Sequence, residues 1–177
     1  CAGLLIAEVG LSGPIALIAA VGIGTLAGTV NGFIFTKGKI PSFLVTLGTL
    51  SILEGSAGLA TGGASIVFRE PGLSTIVNGE LIPGVANIIT ITILIYLLTI
   101  FLAFKTQFGR YCYALGENES VVDLSGVPVD RYKILAFTFS GLLCGIAGAL
   151  LTARLGPASV PMGQGLLLPR IAAVVMR

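Results

Sequence analysis

The 177-residue chain is 55% hydrophobic and 10% charged, with a net charge of +2. A soluble domain carries ~25% charged residues, so this composition predicts a protein that lies in a lipid bilayer. The absence of histidine excludes a Ser-His-Asp relay and histidine metal ligands, and the small net charge argues against a nucleic-acid partner. The three cysteines, Cys1, Cys112 and Cys144, lack metal-ligand spacing. We therefore expect neither a catalytic nor a metal site.

Four segments are apolar enough to cross a membrane as helices of ~20 residues. They cover residues 14–36, 42–61, 87–104 and 134–153, and a fifth span is expected to begin near Gly165. The chain starts and ends within apolar runs, which we interpret as an internal piece of a longer membrane protein or a truncated gene product. The pattern predicts an all-α polytopic membrane protein, one membrane domain with four to five transmembrane helices.

Small residues recur every fourth position in the first and last of these spans, a spacing that lets helix backbones approach closely in lipid. Chance spacing in glycine-rich helices is the alternative. The predicted packing residues are Gly24, Gly28 and Gly32 in the first span and Gly141, Gly145, Gly148 and Ala149 in the last.

A few polar residues lie inside the spans and are candidates for lining a polar pathway through the membrane. They are Asn31, Thr46, Thr49 and Glu54. The first three could instead make interhelical hydrogen bonds, worth ~0.6 kcal/mol each. Glu54 could instead reach water at the outer interface. For all four residues we favour these structural interpretations over a role in the pathway.

Basic residues indicate the orientation of the chain, because cytoplasmic loops are enriched in lysine and arginine. The loop 62–86 offers only Arg69, whereas the other two connections carry Lys37, Lys39, Lys105, Arg110, Arg131 and Lys133. Alternating spans put these two basic connections on one side. We therefore predict that the loop 105–133 is cytoplasmic and that the loop 62–86 is external.

The loop 105–133 contains a predicted short helix between Gly116 and Gly126. Asn118 is a suitable N-cap, and Glu119 would follow it in the first turn, where the helix dipole favours negative charge. Gly126 is suited to end the helix in a left-handed conformation. Val121 and Leu124 share a face of a helix too short to be stable alone, so we expect them to cover the bilayer, pack on the spans or enter a partner's groove.

Four ordered segments resemble the permease subunits of bacterial ABC importers for ribose, xylose, galactose and similar sugars. Residues 108–127 resemble the pattern FGRxxYAxGxNxxAAxxSGI, and residues 140–148 a helix with SGxxxxxAG. Residues 40–50 resemble KIPxFIxTL, and Ala153-Arg-Leu-Gly a small-residue-Arg-Leu segment. The chain departs from the pattern where Val121 and Val122 replace two alanines, where Glu54 replaces a frequent arginine, and after Gly165.

The resemblance implies an incomplete, non-enzymatic permease of the inner membrane that imports a monosaccharide. Its partners would be an ATP-binding subunit, a second permease subunit and a periplasmic sugar-binding protein. No cofactor is expected on this chain, because ATP would bind the partner. By position, the cytoplasmic coupling helix that fits the ATPase would include Gly116, Glu117, Asn118, Glu119, Val121, Val122, Leu124, Ser125 and Gly126, with the two glycines as hinges. A secondary transporter and a truncated, non-transporting membrane subunit are the alternatives.

Overall fold

The computed structural model describes residues 13–62, 66–67, 87–155 and 157–158. Six helices occur in this part of the chain: α1 (Gly13–Gly38), α2 (Ser42–Thr61), α3 (Asn87–Lys105), α4 (Gln107–Glu117), α5 (Glu119–Leu124) and α6 (Val129–Leu155). Two short strands, β1 (Ile66–Val67) and β2 (Pro157–Ala158), pair in antiparallel fashion after α2 and α6. The fifth span expected near Gly165 and most of the loop 62–86 lie outside the described residues.

Four of these helices, α1, α2, α3 and α6, are long and apolar enough to cross a membrane. The predicted class of all-α polytopic membrane protein is therefore confirmed. Helix α6 begins at Val129, earlier than residue 134, because its polar first turns continue the apolar helix beyond the membrane-spanning stretch. Asp130 lies in its first turn, where a negative charge interacts favourably with the helix dipole.

Helices α1 and α6 form the main packed pair of the structure, and they run antiparallel. A Cβ placed on Gly24 would lie 2.8 Å from the Cα of Gly145, and one on Gly28 would lie 2.8 Å from the Cα of Gly141. One turn further, a Cβ on Gly32 would lie 3.0 Å from the Cα of Ile134. The two backbones are thus in direct contact over three turns, which only residues without side chains permit.

One glycine of the predicted packing set faces elsewhere. A Cβ on Gly148 would meet nothing within 4 Å, whereas Ala149 is buried. The expectation that Gly148 packs against a neighbouring helix is therefore wrong for the described residues. Gly148 instead lines an open groove between α1, α2 and α6, together with Ala20 and Ala57.

Side chains reinforce the α1–α6 contact at two points. The hydroxyls of Thr29 and Thr138 lie 3.0 Å apart, so that one can donate to the other. The hydroxyl that accepts this bond can donate to the carbonyl four residues earlier in its own helix. The rings of Phe35 and Phe137 pack with centroids 5.3 Å apart. The polar contact is satisfied inside an apolar pair, as a membrane interior requires.

The other two long helices are attached more loosely. Helix α2 meets α1 where Thr49 donates to the Asn31 side-chain carbonyl at 2.5 Å, and it ends at Gly62 in a left-handed conformation, with φ of 59°. Helix α3 packs mainly on α4, and its large apolar side chains, such as Leu94 and Leu97, are exposed. An apolar helix with exposed side chains is compatible with lipid as its surroundings.

The basic connections lie at one end of the α1–α6 pair, as their predicted placement on a common side requires. At the end of α1, Lys37 approaches Asp130 of α6 at 3.3 Å. Arg131 and Lys133 follow within the first turns of α6. We call this end, defined by Lys37, Asp130, Arg131 and Lys133, the basic end. Its location in the cytoplasm stays a prediction from the distribution of charge.

We expect Gly28→Ala to lower the free energy of unfolding by about 1–3 kcal/mol, because the added methyl overlaps the Phe137 carbonyl in a tightly packed interface. Gly22→Ala is the matched control, since it changes the same helix where a Cβ would meet nothing within 4 Å. Unfolding in detergent micelles measures both. Equal stability of the two variants would contradict the close contact.

Orientation is tested by labelling single cysteines with a membrane-impermeant thiol reagent, after Cys1, Cys112 and Cys144 have been replaced by serine. We expect Glu80→Cys to react in intact cells. Leu124→Cys, at an exposed position near the basic end, should react only after lysis. The reverse pattern would overturn the predicted orientation.

Candidate functional site

The segment 105–133 folds into two short helices, α4 and α5, at the basic end. The chain turns at Thr106, whose hydroxyl donates to the Leu102 carbonyl at 2.5 Å and accepts the N–H of Gly109 at 3.4 Å as the N-cap of α4. Gly109 is buried so tightly against the Ala103 carbonyl that no Cβ fits there. A glycine at this position therefore allows α4 to fold back against the end of α3.

Helix α4 was not predicted, although its sequence contains the signal for it. Phe108, Tyr111, Cys112 and Leu115 follow the i, i+3, i+4, i+7 spacing of an amphipathic helix. All four are partly buried, and burial raises the pKa of the Cys112 thiol. The glycines at positions 109 and 116 and the neighbouring charges favoured a loop, but packing of the apolar face stabilises the helix.

Aromatic rings attach α4 to the spanning helices. Phe108 packs against Phe139 with ring centroids 6.0 Å apart, and Tyr111 packs against Tyr132 at 4.8 Å. Both partners belong to α6, whereas a third ring pair joins Tyr113 to Phe104 of α3. Helix α4 thus contacts both α3 and α6 through pairs of aromatic rings.

Helix α5 has the caps that its sequence predicts. The side-chain oxygen of Asn118 accepts the N–H groups of Ser120 at 3.1 Å and Val121 at 3.4 Å. Ser125 is the C-cap, its hydroxyl donating to the Val121 carbonyl at 2.9 Å. Gly126 follows with φ of 76°, a left-handed conformation that favours glycine. These local contacts fix the ends of a six-residue helix.

The expected hinge at Gly116 is not seen. Gly116 lies inside the last turn of α4, which continues through Glu117. The change of direction occurs at Asn118, whose φ of −156° and ψ of 104° are extended. Because Asn118 both breaks α4 and caps α5, the two helices meet at this single residue.

The apolar residues of α5 separate into an outward and an inward face. Val121 is 58% exposed and Leu124 is 89% exposed, whereas Val122 is 6% exposed. Val122, which the resemblance includes in the coupling helix, lies on the inner side of α5, so its side chain is not part of the outward surface in this structure. We call the outward pair, Val121 and Leu124, the exposed face of α5.

An ion pair connects α5 to the spanning helices. The ammonium of Lys133 lies 2.5 Å from a carboxylate oxygen of Glu119 and 5.3 Å from the centroid of the Phe35 ring. Glu119 belongs to α5, Lys133 to α6 and Phe35 to α1. The Lys133 side chain thus connects its own helix, α6, to both α5 and α1.

Three of the four candidate pathway residues, Asn31, Thr46 and Thr49, line one groove of about 420 Å³ between α1, α2 and α6. The fourth, Glu54, lies further along α2 and does not line it. Thr46 also donates to the carbonyls of its own helix, and Thr49 bonds Asn31. The structure thus brings three polar side chains together, and their hydrogen bonds also suit a packing role.

No group of three or more metal-ligating side chains occurs among the residues with described positions.

Comparison with known proteins identifies relatives along almost the whole chain. Residues 1–176 match the family described as branched-chain amino acid transport system / permease component. The chain is 37% identical to the ribose import permease protein RbsC of Haemophilus influenzae, an alignment that covers 87% of this chain and 49% of the relative. It is 34% identical to the ribose import permease protein RbsC of Escherichia coli K12, over 92% of this chain and 51% of the relative.

A relative with a different cargo in its name is also similar. The autoinducer 2 import system permease protein LsrC of Salmonella choleraesuis is 35% identical, over 99% of this chain and 51% of the relative. The chain thus spans about half the length of the curated relatives it matches. No solved structure matches the chain.

The two faces of α5 predict different consequences of the same substitution. We expect Val122→Asp to lower the stability of the α5 attachment by at least ~2 kcal/mol, because it buries a carboxylate without a partner. Val121→Asp places the same charge on the exposed face and should leave stability within ~0.5 kcal/mol. Hydrogen exchange at the α5 amides is the measurement. Equal protection in the two variants would contradict the assignment of faces.

Proposed function

Because the chain belongs to the family described as branched-chain amino acid transport system / permease component and is a multi-pass protein of the inner membrane, we propose that it is a permease subunit of an ATP-driven importer. The proposed cargo is a monosaccharide. Relatives whose names specify import of ribose support this choice, whereas the name of the relative LsrC specifies autoinducer 2.

The observation that carries the proposal is the exposed face of α5. Val121 and Leu124 present apolar surface to solvent at the basic end, on a helix held by caps and by the Glu119–Lys133 ion pair. Apolar side chains that share a face of a short helix outside the spans support docking to a partner, because an amphipathic helix typically binds in a groove of its partner. The proposed partner is the ATP-binding subunit.

The proposed site of ATP binding is the partner, because this sequence contains no phosphate-binding loop motif. A phosphate-binding loop requires GxxxxGK[ST], in which backbone N–H groups surround the phosphates and a lysine and a hydroxyl complete the site. The segment Gly38-Lys39-Ile40 lacks both the spacing and the hydroxyl. ATP hydrolysis by a partner would then drive transport through this chain.

In the proposed mechanism, ATP-dependent closure of the partner moves α5, and the packed helices pass that motion to the membrane. The importer alternates between inward-facing and outward-facing states, and ATP shifts their populations. A second permease subunit would complete the pathway, and a periplasmic sugar-binding protein would deliver the cargo. The groove lined by Asn31, Thr46 and Thr49 is the candidate contribution of this chain to the pathway.

A secondary transporter is less well supported. Such a protein builds its site at interrupted helices near the middle of the bilayer, whereas α1, α2, α3 and α6 are continuous over their described lengths. A capped helix with exposed apolar side chains outside the spans would also have no role in it.

The proposal is tested by co-purification with the ATPase and by ATP-dependent sugar uptake into vesicles. We expect Val121→Asp and Leu124→Asp to lose the ATPase and at least ~90% of uptake, because each puts a charge into the apolar contact. Gln107→Asp is the control, since it adds the same charge at an exposed position of α4. Full retention of an ABC-type ATPase by Val121→Asp and Leu124→Asp would contradict the docking face.

A further inference from the structure

Lys133 occupies an unusual position among the basic residues at this end of the protein. Its side chain is 22% exposed, although it carries a full charge, and its ammonium lies between the Glu119 carboxylate at 2.5 Å and the Phe35 ring at 5.3 Å. Phe35 in turn packs on Phe137. A cation within ~6 Å of a ring centroid interacts favourably with the face of the ring, so Lys133 has two defined contacts.

Helix α5 has few other attachments to the spanning helices. Its buried residue is Val122, and the Glu119–Lys133 pair is the one salt bridge that α5 makes within the described ranges. Besides the chain connections at its two ends, two side-chain contacts hold α5, one apolar at Val122 and one ionic at Glu119. Because the ionic contact joins α5 to a charged side chain of α6, a displacement of α5 also displaces Lys133.

We propose that Lys133 is a positioning residue that transmits the movement of α5 to α1 and α6. The inference rests on the proposed function, because it requires a partner that moves α5. A displacement of Glu119 pulls the Lys133 ammonium, which is anchored in α6 and seated on Phe35 of α1. The α1–α6 pair then moves as a unit, because its backbones are in contact at Gly28 and Gly141.

A second salt bridge at the same end provides the comparison. Lys37 and Asp130 also join α1 to α6, at 3.3 Å, but both side chains are more than half exposed and neither belongs to α5. Exposed pairs contribute little, because water screens them and two flexible side chains must be ordered. Loss of Lys37 should therefore leave the link from α5 to the membrane intact.

The test uses the complete importer in proteoliposomes and measures sugar transported per ATP hydrolysed. We expect Lys133→Met to lower this ratio about tenfold, while the ATPase still binds, because the exposed face of α5 is unchanged. Lys133→Arg should keep the ratio within about twofold, since guanidinium retains the charge and stacks on aromatic rings. Lys37→Met is the matched control and should behave like the wild type.

A further variant distinguishes loss of the ion pair from a folding defect caused by the change at Lys133. Glu119→Gln removes the ion pair from the exposed α5 side, where the carboxylate is 57% exposed, and should reproduce the fall in the ratio. If the Lys133→Met or Glu119→Gln importer transports as much sugar per ATP hydrolysed as the wild type, the proposed role of Lys133 is wrong, whereas the proposed function is unaffected. A wild-type complex that binds no ATPase would instead overturn the proposed function itself.

Discussion

The direct backbone contact between α1 and α6 is the constraint on which the rest of this structure depends. Gly24, Gly28 and Gly32 approach α6 so closely that a Cβ on any of them would overlap main-chain or Cβ atoms. Lipid provides no hydrophobic drive between apolar helices, so contact over several turns must supply the attraction. This close packing also sets the register of the two helices, and with it the position of everything attached to their ends.

That register brings the side chains of the basic end together. Phe35 and Lys37 of α1 lie beside Phe137, Lys133 and Asp130 of α6 because the two helices run antiparallel in this alignment. Helices α4 and α5 then pack on the same end through aromatic rings and the Glu119 carboxylate. Helix α5, with its exposed apolar face, is thus attached to the closely packed α1–α6 pair. This attachment suits a surface on which a partner exerts force.

The features predictable from sequence were those that local physics determines. Length and hydropathy identified the four spans, four-residue spacing of small residues identified a packing face on α1 and one on α6, and Asn118 and Gly126 marked the ends of α5. Tertiary packing determined the rest. The inward position of Val122, the ring pairs of α4 and the link through Lys133 depend on which helix lies opposite, which no local pattern encodes. The apolar spacing of α4 was present but was outweighed by its glycines.

The central claim, a close antiparallel α1–α6 pair in one register, is tested most directly by disulfide cross-linking in the membrane. With the native cysteines replaced, Thr29→Cys and Thr138→Cys should oxidise rapidly to an intramolecular disulfide, because the two hydroxyls lie 3.0 Å apart. Thr29→Cys paired with Leu142→Cys, one turn further along α6, should not. Cross-linking of the second pair in preference to the first would contradict the register and the account built on it.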